Sequence, residues 1–507
     1  MKNHKQTSVG VLVSVFFVLA FLTALPLWAA AEKPTHLLFL VFDQMRPDYV
    51  DRFDLKNFKR LRRMGANYKN AYVGHGASVT VVSHFVMTTG LLPRDLPWSE
   101  NQLWDQAGKL GSSDQVHDVL HLSTEQRFKL MADLAPEQYL VKRFKDTTGK
   151  KVFAVGQKEY SALAMGGPFA DAVIYPAKDK QETNCKPVGQ NVPNYILKNS
   201  RYVIDCTSAF GTENSTYVLD GARFYPGPDK EHLGGDIWVA DVALDIMKNE
   251  PNWGALFLTF GAIDRFGHML GETDRDTPHA FEPPMHLKDI ALVADAQLGR
   301  ILDDLEKRKI LKSTLIISTA DHGGQTDEIF LGGGSKTEGY WIQRVSKMAP
   351  IKQIMADTGI RIWLKDGAGP NVEKTVAGLK EIPQVTQVLT LDRTQKPPRY
   401  KIAFDNLASQ PKAHQKWATA HNLELANSFA SPTAADVVAA LADDVGFGRL
   451  GDHGGFQERV QRIPMMIAGP GYRSRTEKRA LRLADLAPLI SESFGLPPAP
   501  IKTPPAR

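Results

Sequence analysis

The chain is predicted to be an α/β protein with a mostly parallel central sheet flanked by helices and an inserted α+β subdomain. Three features carry that prediction. Three continuous apolar runs of strand length each lead into an aspartate, at Asp43, Asp264 and Asp321. A long segment of helical spacing separates the last two runs. The stretch 336–427 reads differently, with strand and helix signals of its own.

The N-terminal segment, residues 1–31, stands apart from that fold. Met1, Lys2, Asn3, His4 and Lys5 form a basic start, an apolar run extends from Val9 to about Leu27, and Ala29, Ala30 and Ala31 are small residues suited to cleavage before Glu32. This order is that of a secretory signal peptide, so the folded part is expected in the periplasm or secreted. The apolar run is nearly long enough to span a bilayer, which leaves an uncleaved membrane anchor as the alternative.

The mature chain opens with the apolar run 35–42, which suits a strand buried on both faces of a parallel sheet. The basic run 56–63 spaces Phe58, Leu61 and Met64 along one face of a short helix. Its charges read as a solvated helix face. With 61 basic against 56 acidic residues in 507, no nucleic-acid-binding surface is expected. Residues 113–148 read as helical, with Ser123 and Gln126 spaced as a capping box. The two cysteines, Cys185 and Cys206, lie in a loop-like region, and export with an even count favours a disulfide between them.

Runs 254–260 and 314–319 repeat the buried-strand pattern before Asp264 and Asp321. Between them Ile290, Val293, Ala294, Leu298, Ile301, Leu302 and Leu305 recur at three- and four-residue intervals. Strand, helix and strand at this spacing imply a parallel sheet with helices on its faces. Ligands of open α/β sheets bind beyond the carboxyl ends of the strands. Three runs finishing in aspartate therefore set three carboxylates along one edge, a metal-binding arrangement. The core is expected to span 32–335 and to resume over 428–507, where 462–469 reads as another core strand. The intervening 336–427 is the inserted subdomain, with strands near 360–364 and 385–389.

Asp264 and His268, four residues apart, can meet one ion on a helical turn. Asp321-His322-Gly323-Gly324 comes after a strand, and Asp452-His453-Gly454-Gly455 repeats its local shape. Each is ambiguous singly; their order is hard to assign to packing. The order Asp43, Thr80, Asp264, His268, Asp321, His322, His453 resembles the two-metal branch of the alkaline phosphatase superfamily, above all its nucleotide pyrophosphatase/phosphodiesterase group and bacterial phosphatase relatives. The likeness spans residues from about 35 to 335 and from about 430 to 495.

The resemblance implies two zinc ions. Asp264, His268 and His453 would hold one, and Asp43, Thr80, Asp321 and His322 the other. It also implies Thr80 as nucleophile: Thr80 stands four residues before His84 and ten before Gly90, as in the family, although Ser78 is a second candidate. His84 matches a position that is not a ligand. Asn101, twenty-one residues after Thr80, matches a phosphate-binding asparagine. Coordination activates a neutral hydroxyl, and a second nearby ion can hold the leaving oxygen. Imidazole with carboxylate suits zinc better than magnesium or calcium.

One departure bears on specificity. A phosphomonoesterase subgroup carries a Lys-x-Arg element gripping a dianionic phosphate, and here Lys158 is kept while Tyr160 stands where the arginine is expected. Loss of a bidentate guanidinium weakens recognition of a dianion more than of a diester monoanion. The implied function is an exported hydrolase of phosphodiester or pyrophosphate bonds in small phosphate esters or nucleotides, acting through a phospho-threonine. A phosphomonoesterase is the alternative; a solvated loop position for Lys158 also stays open. The sulfatase C/S-x-P-x-R element is absent around Thr80, and a cytoplasmic phosphoglycerate mutase conflicts with the leader. A catalytically inactive phospho-ligand-binding protein is the outside alternative, although every expected ligand position is filled.

Overall fold

The strand His36–Phe42 lies at the middle of a ten-stranded sheet, with Leu37 to Phe42 wholly buried. The computed structural model describes residues 32–178, 184–205, 235–270, 287–331, 349–367, 369–447 and 450–500. The expected leader, 1–31, and Cys206 lie outside the described residues. Trp253–Phe260 and Thr314–Thr319 flank the central strand, parallel to it and buried throughout. Lys151–Gly156 and Ala172–Lys178 continue the parallel run beyond Trp253–Phe260. Apolar side chains on both faces are what such a sandwiched sheet needs. Met465–Ala468 is the further core strand read at 462–469, and it pairs antiparallel with Thr314–Thr319. A mostly parallel sheet flanked by helices is therefore the observed architecture.

The helix Leu287–Lys307 buries Ile290, Ala294, Leu298, Ile301, Leu302 and Leu305, the stripe its spacing predicts. Against it packs Lys56–Met64, which buries Phe58 and Leu61. Two arginines of that helix find acidic partners. Arg60 reaches Asp303 at 2.5 Å and Glu306 at 2.8 Å, and Arg62 reaches Asp51 at 2.7 Å. Its N-terminus is capped from elsewhere: Asp295 Oδ1 accepts the N–H groups of Asn57 and Phe58 at 2.8 and 2.9 Å.

The helical reading of 113–148 holds only in part. Gln115–Asp118 is a strand, paired antiparallel with Gln102–Asp105. Helices come next at Thr124–Met131 and Leu140–Thr148, separated by a turn that starts at Pro136, where the missing N–H stops a continuous helix. The Ser123/Gln126 capping box forms. Cys185 is disulfide-bonded.

A second sheet has five antiparallel strands, in the order Ile351–Ala356, Gly359–Leu364, Val437–Leu441, Val385–Asp392, Arg399–Asp405. Strand alternation sends Ile360, Ile362 and Leu364 to a core shared with the Gly369–Lys380 helix. Trp363 goes to the opposite face, beside Leu425 and Ala426 of the Lys412–Ser428 helix. The central strand, Val437–Leu441, lies past residue 427, so this sheet draws on chain beyond the segment expected to be inserted.

Candidate active site

Three adjacent parallel strands end at one edge, and residues just beyond their ends build the site. Asp43 is the first residue after His36–Phe42, Asp321 lies two residues beyond Thr314–Thr319, and Asp264 sits in the first turn of the Ala262–Leu270 helix after Trp253–Phe260. All three carboxylates are buried. The helical turn brings His268 under Asp264, with His268 Nε2 3.4 Å from Asp264 Oδ1. His453 Nε2 is also 3.4 Å from that oxygen. Beside this group, His322 Nε2 lies 3.4 Å from Asp43 Oδ1, 3.5 Å from Asp321 Oδ2 and 3.3 Å from Thr80 Oγ1. The His322 and His453 rings stack at 3.7 Å between centroids and join the two groups.

The imidazoles share one orientation. Each Nδ1 faces a backbone carbonyl: His268 that of Gly451 at 2.7 Å, His322 that of Gly323 at 3.0 Å, His453 that of Ser78 at 3.2 Å. With Nδ1 donating to these carbonyls, the Nε2 atoms would turn their lone pairs to the carboxylates, the arrangement that outer partners impose on metal-binding histidines. Burial pushes the His322 imidazole down to about 4, so it is neutral at pH 7.

The carboxylates differ electrostatically. Burial, together with the charges of Asp264 and Asp321, drives the Asp43 carboxyl well above the usual range despite Lys158. Burial opposes ionisation of Asp264 too, but Lys158, His268 and His453 outweigh it and hold that carboxyl well below its usual range. Asp43 Oδ1 and Asp321 Oδ2 are buried without a hydrogen-bond partner among the described residues. Unpartnered carboxylate oxygens, converging beside imidazole nitrogens, fit bound divalent cations, and the donor chemistry of this set suits zinc.

Thr80 opens the helix Thr80–Thr89, and Gly90 ends it at φ 73°, a left-handed cap that glycine adopts without strain. Ser78 is fully buried and donates its hydroxyl to the Gly455 carbonyl at 2.9 Å, whereas Thr80 presents Oγ1 to His322. His84 Nδ1 donates to the Thr80 carbonyl at 2.8 Å, and its Nε2 accepts the Thr259 hydroxyl at 3.0 Å. It braces the helix start.

Lys158 is buried, not a solvated loop residue, and its Nζ lies 2.6 Å from both Asp43 Oδ2 and Asp264 Oδ2. Tyr160 is half-buried, its ring 6.0 Å from that ammonium. Asn101 stands just before Gln102–Asp105 and is held by its backbone, its carbonyl accepting the Val119 N–H at 2.8 Å. Its side-chain Oδ1 is buried without a hydrogen-bond partner among the described residues.

Sequence reasoning missed two members of this site. Gln44 has φ 62° and donates its backbone N–H to Asp321 Oδ1 at 3.2 Å. With its amide oriented to suit its neighbours, it also donates to Asp264 Oδ1 at 3.1 Å and to the Asp264 carbonyl at 3.0 Å. A Cβ on Gly267 or Gly324 would collide with that amide. Asp452 accepts the His453 N–H at 3.0 Å and lies 3.7 Å from His268 Nδ1. Its signal was present in the repeated Asp-His-Gly-Gly. For Gln44 only adjacency to Asp43 was visible.

No helix among the described residues is long and apolar enough to cross a membrane. A relative from Myroides odoratus called a calcium-transporting ATPase is 27% identical over 410 residues, covering 73% of each chain. Among solved structures, wild-type alkaline phosphatase PafA is 16% identical at a TM-score of 0.63, with 92% of this chain and 97% of that one covered. Murine ectonucleotide pyrophosphatase/phosphodiesterase 5, whose inactive form is known in complex with AMP, is 14% identical at a TM-score of 0.50, covering 93% and 97%. At these identities the solved structures show a shared fold. The family model of type I phosphodiesterase/nucleotide pyrophosphatase matches residues 37–444. With most of its length matched, the chain belongs to that family, within the alkaline phosphatase superfamily, and is a hydrolase of phosphoric esters.

Proposed function

We propose that this protein is an exported phosphodiesterase/nucleotide pyrophosphatase that uses Thr80 as its nucleophile and two zinc ions as its cofactors. The observation that carries the reading is the approach of Thr80 Oγ1 to His322, beside Asp43 and Asp321, with Asp264, His268 and His453 stacked against them. Asp43, Thr80, Asp321 and His322 would hold one ion; Asp264, His268 and His453 would hold the other. When bound, these ions supply positive charge that favours the Thr80 alkoxide and neutralises the phosphoryl group.

The protein groups do the rest. Thr80 Oγ1 attacks phosphorus, its bond to phosphorus forms as the bond to the leaving oxygen breaks, and the departing alkoxide or phosphate takes up a proton. Water then attacks the phospho-threonine, returning the Thr80 hydroxyl and releasing the phosphate product. Asn101 donates its amide to a non-bridging oxygen. Lys158, already poised between two carboxylates, contributes a cationic contact for the phosphoryl group. Tyr160 offers one hydroxyl where a guanidinium would offer a fork, which favours monoanionic diesters and pyrophosphates over dianionic monoesters. An inactive form of murine ectonucleotide pyrophosphatase/phosphodiesterase 5 is known in complex with AMP, and the Myroides relative is called a calcium-transporting ATPase. Both agree with nucleotides as a substrate class.

A phosphomonoesterase is the second reading, favoured by the retained Lys158 and by the fold shared with an alkaline phosphatase. Values of kcat/KM for aryl phosphate monoesters and diesters, measured on one zinc-loaded preparation, decide between them. Diester preference is expected, and strong monoester preference would overturn the specificity argument. Stoichiometric zinc without turnover of any phosphate ester would instead favour an inactive binding protein.

A further inference from the structure

We propose that Arg361, contributed by the second sheet, is a positioning residue that holds the loops of Thr80, Asn101 and His453 in register. The inference deepens the proposed function and rests on the roles given there to those three residues. Arg361 lies on the strand Gly359–Leu364, alternating onto the face of Trp363, and is only 1% exposed. Its guanidinium stands 5.5 Å from the Phe429 ring.

Both terminal nitrogens of that guanidinium donate hydrogen bonds, and Nε stands in an ion pair. Nη2 donates to the Gly76 carbonyl at 2.7 Å and to the Gly454 carbonyl at 2.5 Å. Nη1 donates to Asp357 Oδ1 at 3.3 Å, and Nε lies 2.5 Å from Glu100 Oε2. Gly76 lies four residues before Thr80, Gly454 is the residue after His453, and Glu100 precedes Asn101. One planar cation therefore touches the backbone or the adjacent side chain of three separate loops. Asp357 and Thr358 strengthen the link: the Asp357 carboxylate packs against Gly454, where a Cβ would collide, and the Thr358 N–H donates to the His453 carbonyl at 3.3 Å.

A buried charge is costly unless it is paired and hydrogen-bonded. Asp357 pairs with this one, Glu100 lies against it although burial pushes that carboxyl up to about 8, and two carbonyls consume donors. Lysine, a compact point charge, cannot span the same set. The geometry explains why a second sheet should lie against the catalytic edge. Sub-ångström placement of a nucleophile relative to its partners governs rate, and a shift of about 1 Å costs about 100-fold.

The test compares Arg361→Met, Arg361→Lys and Glu100→Gln with wild type. It reads circular dichroism, bound zinc, kcat, and binding of inorganic phosphate by calorimetry, all well below each variant's melting temperature. Arg361→Met is expected to keep wild-type zinc content, lose roughly 10–100-fold in kcat and bind phosphate about tenfold more weakly, with Arg361→Lys recovering part of both. A folded Arg361→Met with kcat and phosphate binding within about twofold of wild type overturns the proposal. Should Arg361→Met fail to fold, Glu100→Gln decides: weakened phosphate binding at unchanged zinc content is expected, and unchanged binding overturns the proposal. Thr80→Ala is measured alongside. Full turnover in Thr80→Ala would refute the nucleophile reading, while phosphate binding in the Arg361 and Glu100 variants still judges the positioning role on its own.

Discussion

Thr80 and Ser78 lie two residues apart, and their hydroxyls have different work. Ser78 spends its proton on the Gly455 carbonyl from a fully buried position, while Thr80 faces His322. Thr80→Ala is therefore expected to fold and to lose roughly 1,000-fold or more in kcat. Ser78→Ala should cost about 1 kcal/mol of stability and leave turnover within a few-fold. Steady-state kinetics and urea unfolding on the same preparations check both halves, and a reversal of the two activities would mean that the hydroxyls have been assigned the wrong way round. Tyr160→Arg restores a fork that suits a dianion, so the ratio of monoester to diester kcat/KM should rise. An unchanged ratio would show that position 160 does not set specificity.

Individual helices were legible from spacing, but not what caps them. Phe58 and Leu61, three residues apart, announced the face of the Lys56–Met64 helix, whereas its N-terminal cap comes from Asp295, on a different helix. Leu55, the residue at the cap position, has no side-chain acceptor to offer. Asp295→Ala should thus destabilise by about 1–2 kcal/mol, the scale of a lost cap, with kcat unaffected. Urea unfolding that shows no loss would mean that the cap does not stabilise this helix. The reading of 113–148 as helical failed at 115–118 for a related reason: pairing with Gln102–Asp105 decides that segment, and local propensity does not record a partner.

For the molecule as a whole, charge held at the sheet edge links stability to metal and pH. Ions that bind only the folded state stabilise it by mass action. Chelation should abolish hydrolysis and lower the melting temperature, and zinc should restore both; full activity in metal-free protein would refute the mechanism. Asp236 gives a separate pH signature. Burial pushes its carboxyl up to about 7, with Oδ1 accepting Gln157 Nε2 at 2.6 Å and the Ala262 N–H at 3.2 Å. A folded-state value above the unfolded one means that the native protein binds the extra proton. That contribution is complete below about pH 4 and is lost as pH rises through about 7, with a ceiling of about 4 kcal/mol. Asp236→Asn should flatten the fall in stability between pH 4 and 7, and an unaltered profile would show that Asp236 ionises normally.

The three aspartates, the histidines in their order and the parallel core were readable from the chain because each is a local statement. A buried strand needs apolar residues on both faces, and a metal ligand must be of the right residue type. The antiparallel direction of Met465–Ala468, the capture of Lys158 by Asp43 and Asp264, and the approach of Gln44 to Asp264 and Asp321 are not local. Neither is the reach of Arg361 from the second sheet to carbonyls 285 and 93 positions away. Only tertiary structure decided these, because hydrogen bonds and ion pairs depend on distance in space, and a sequence records distance along the chain alone.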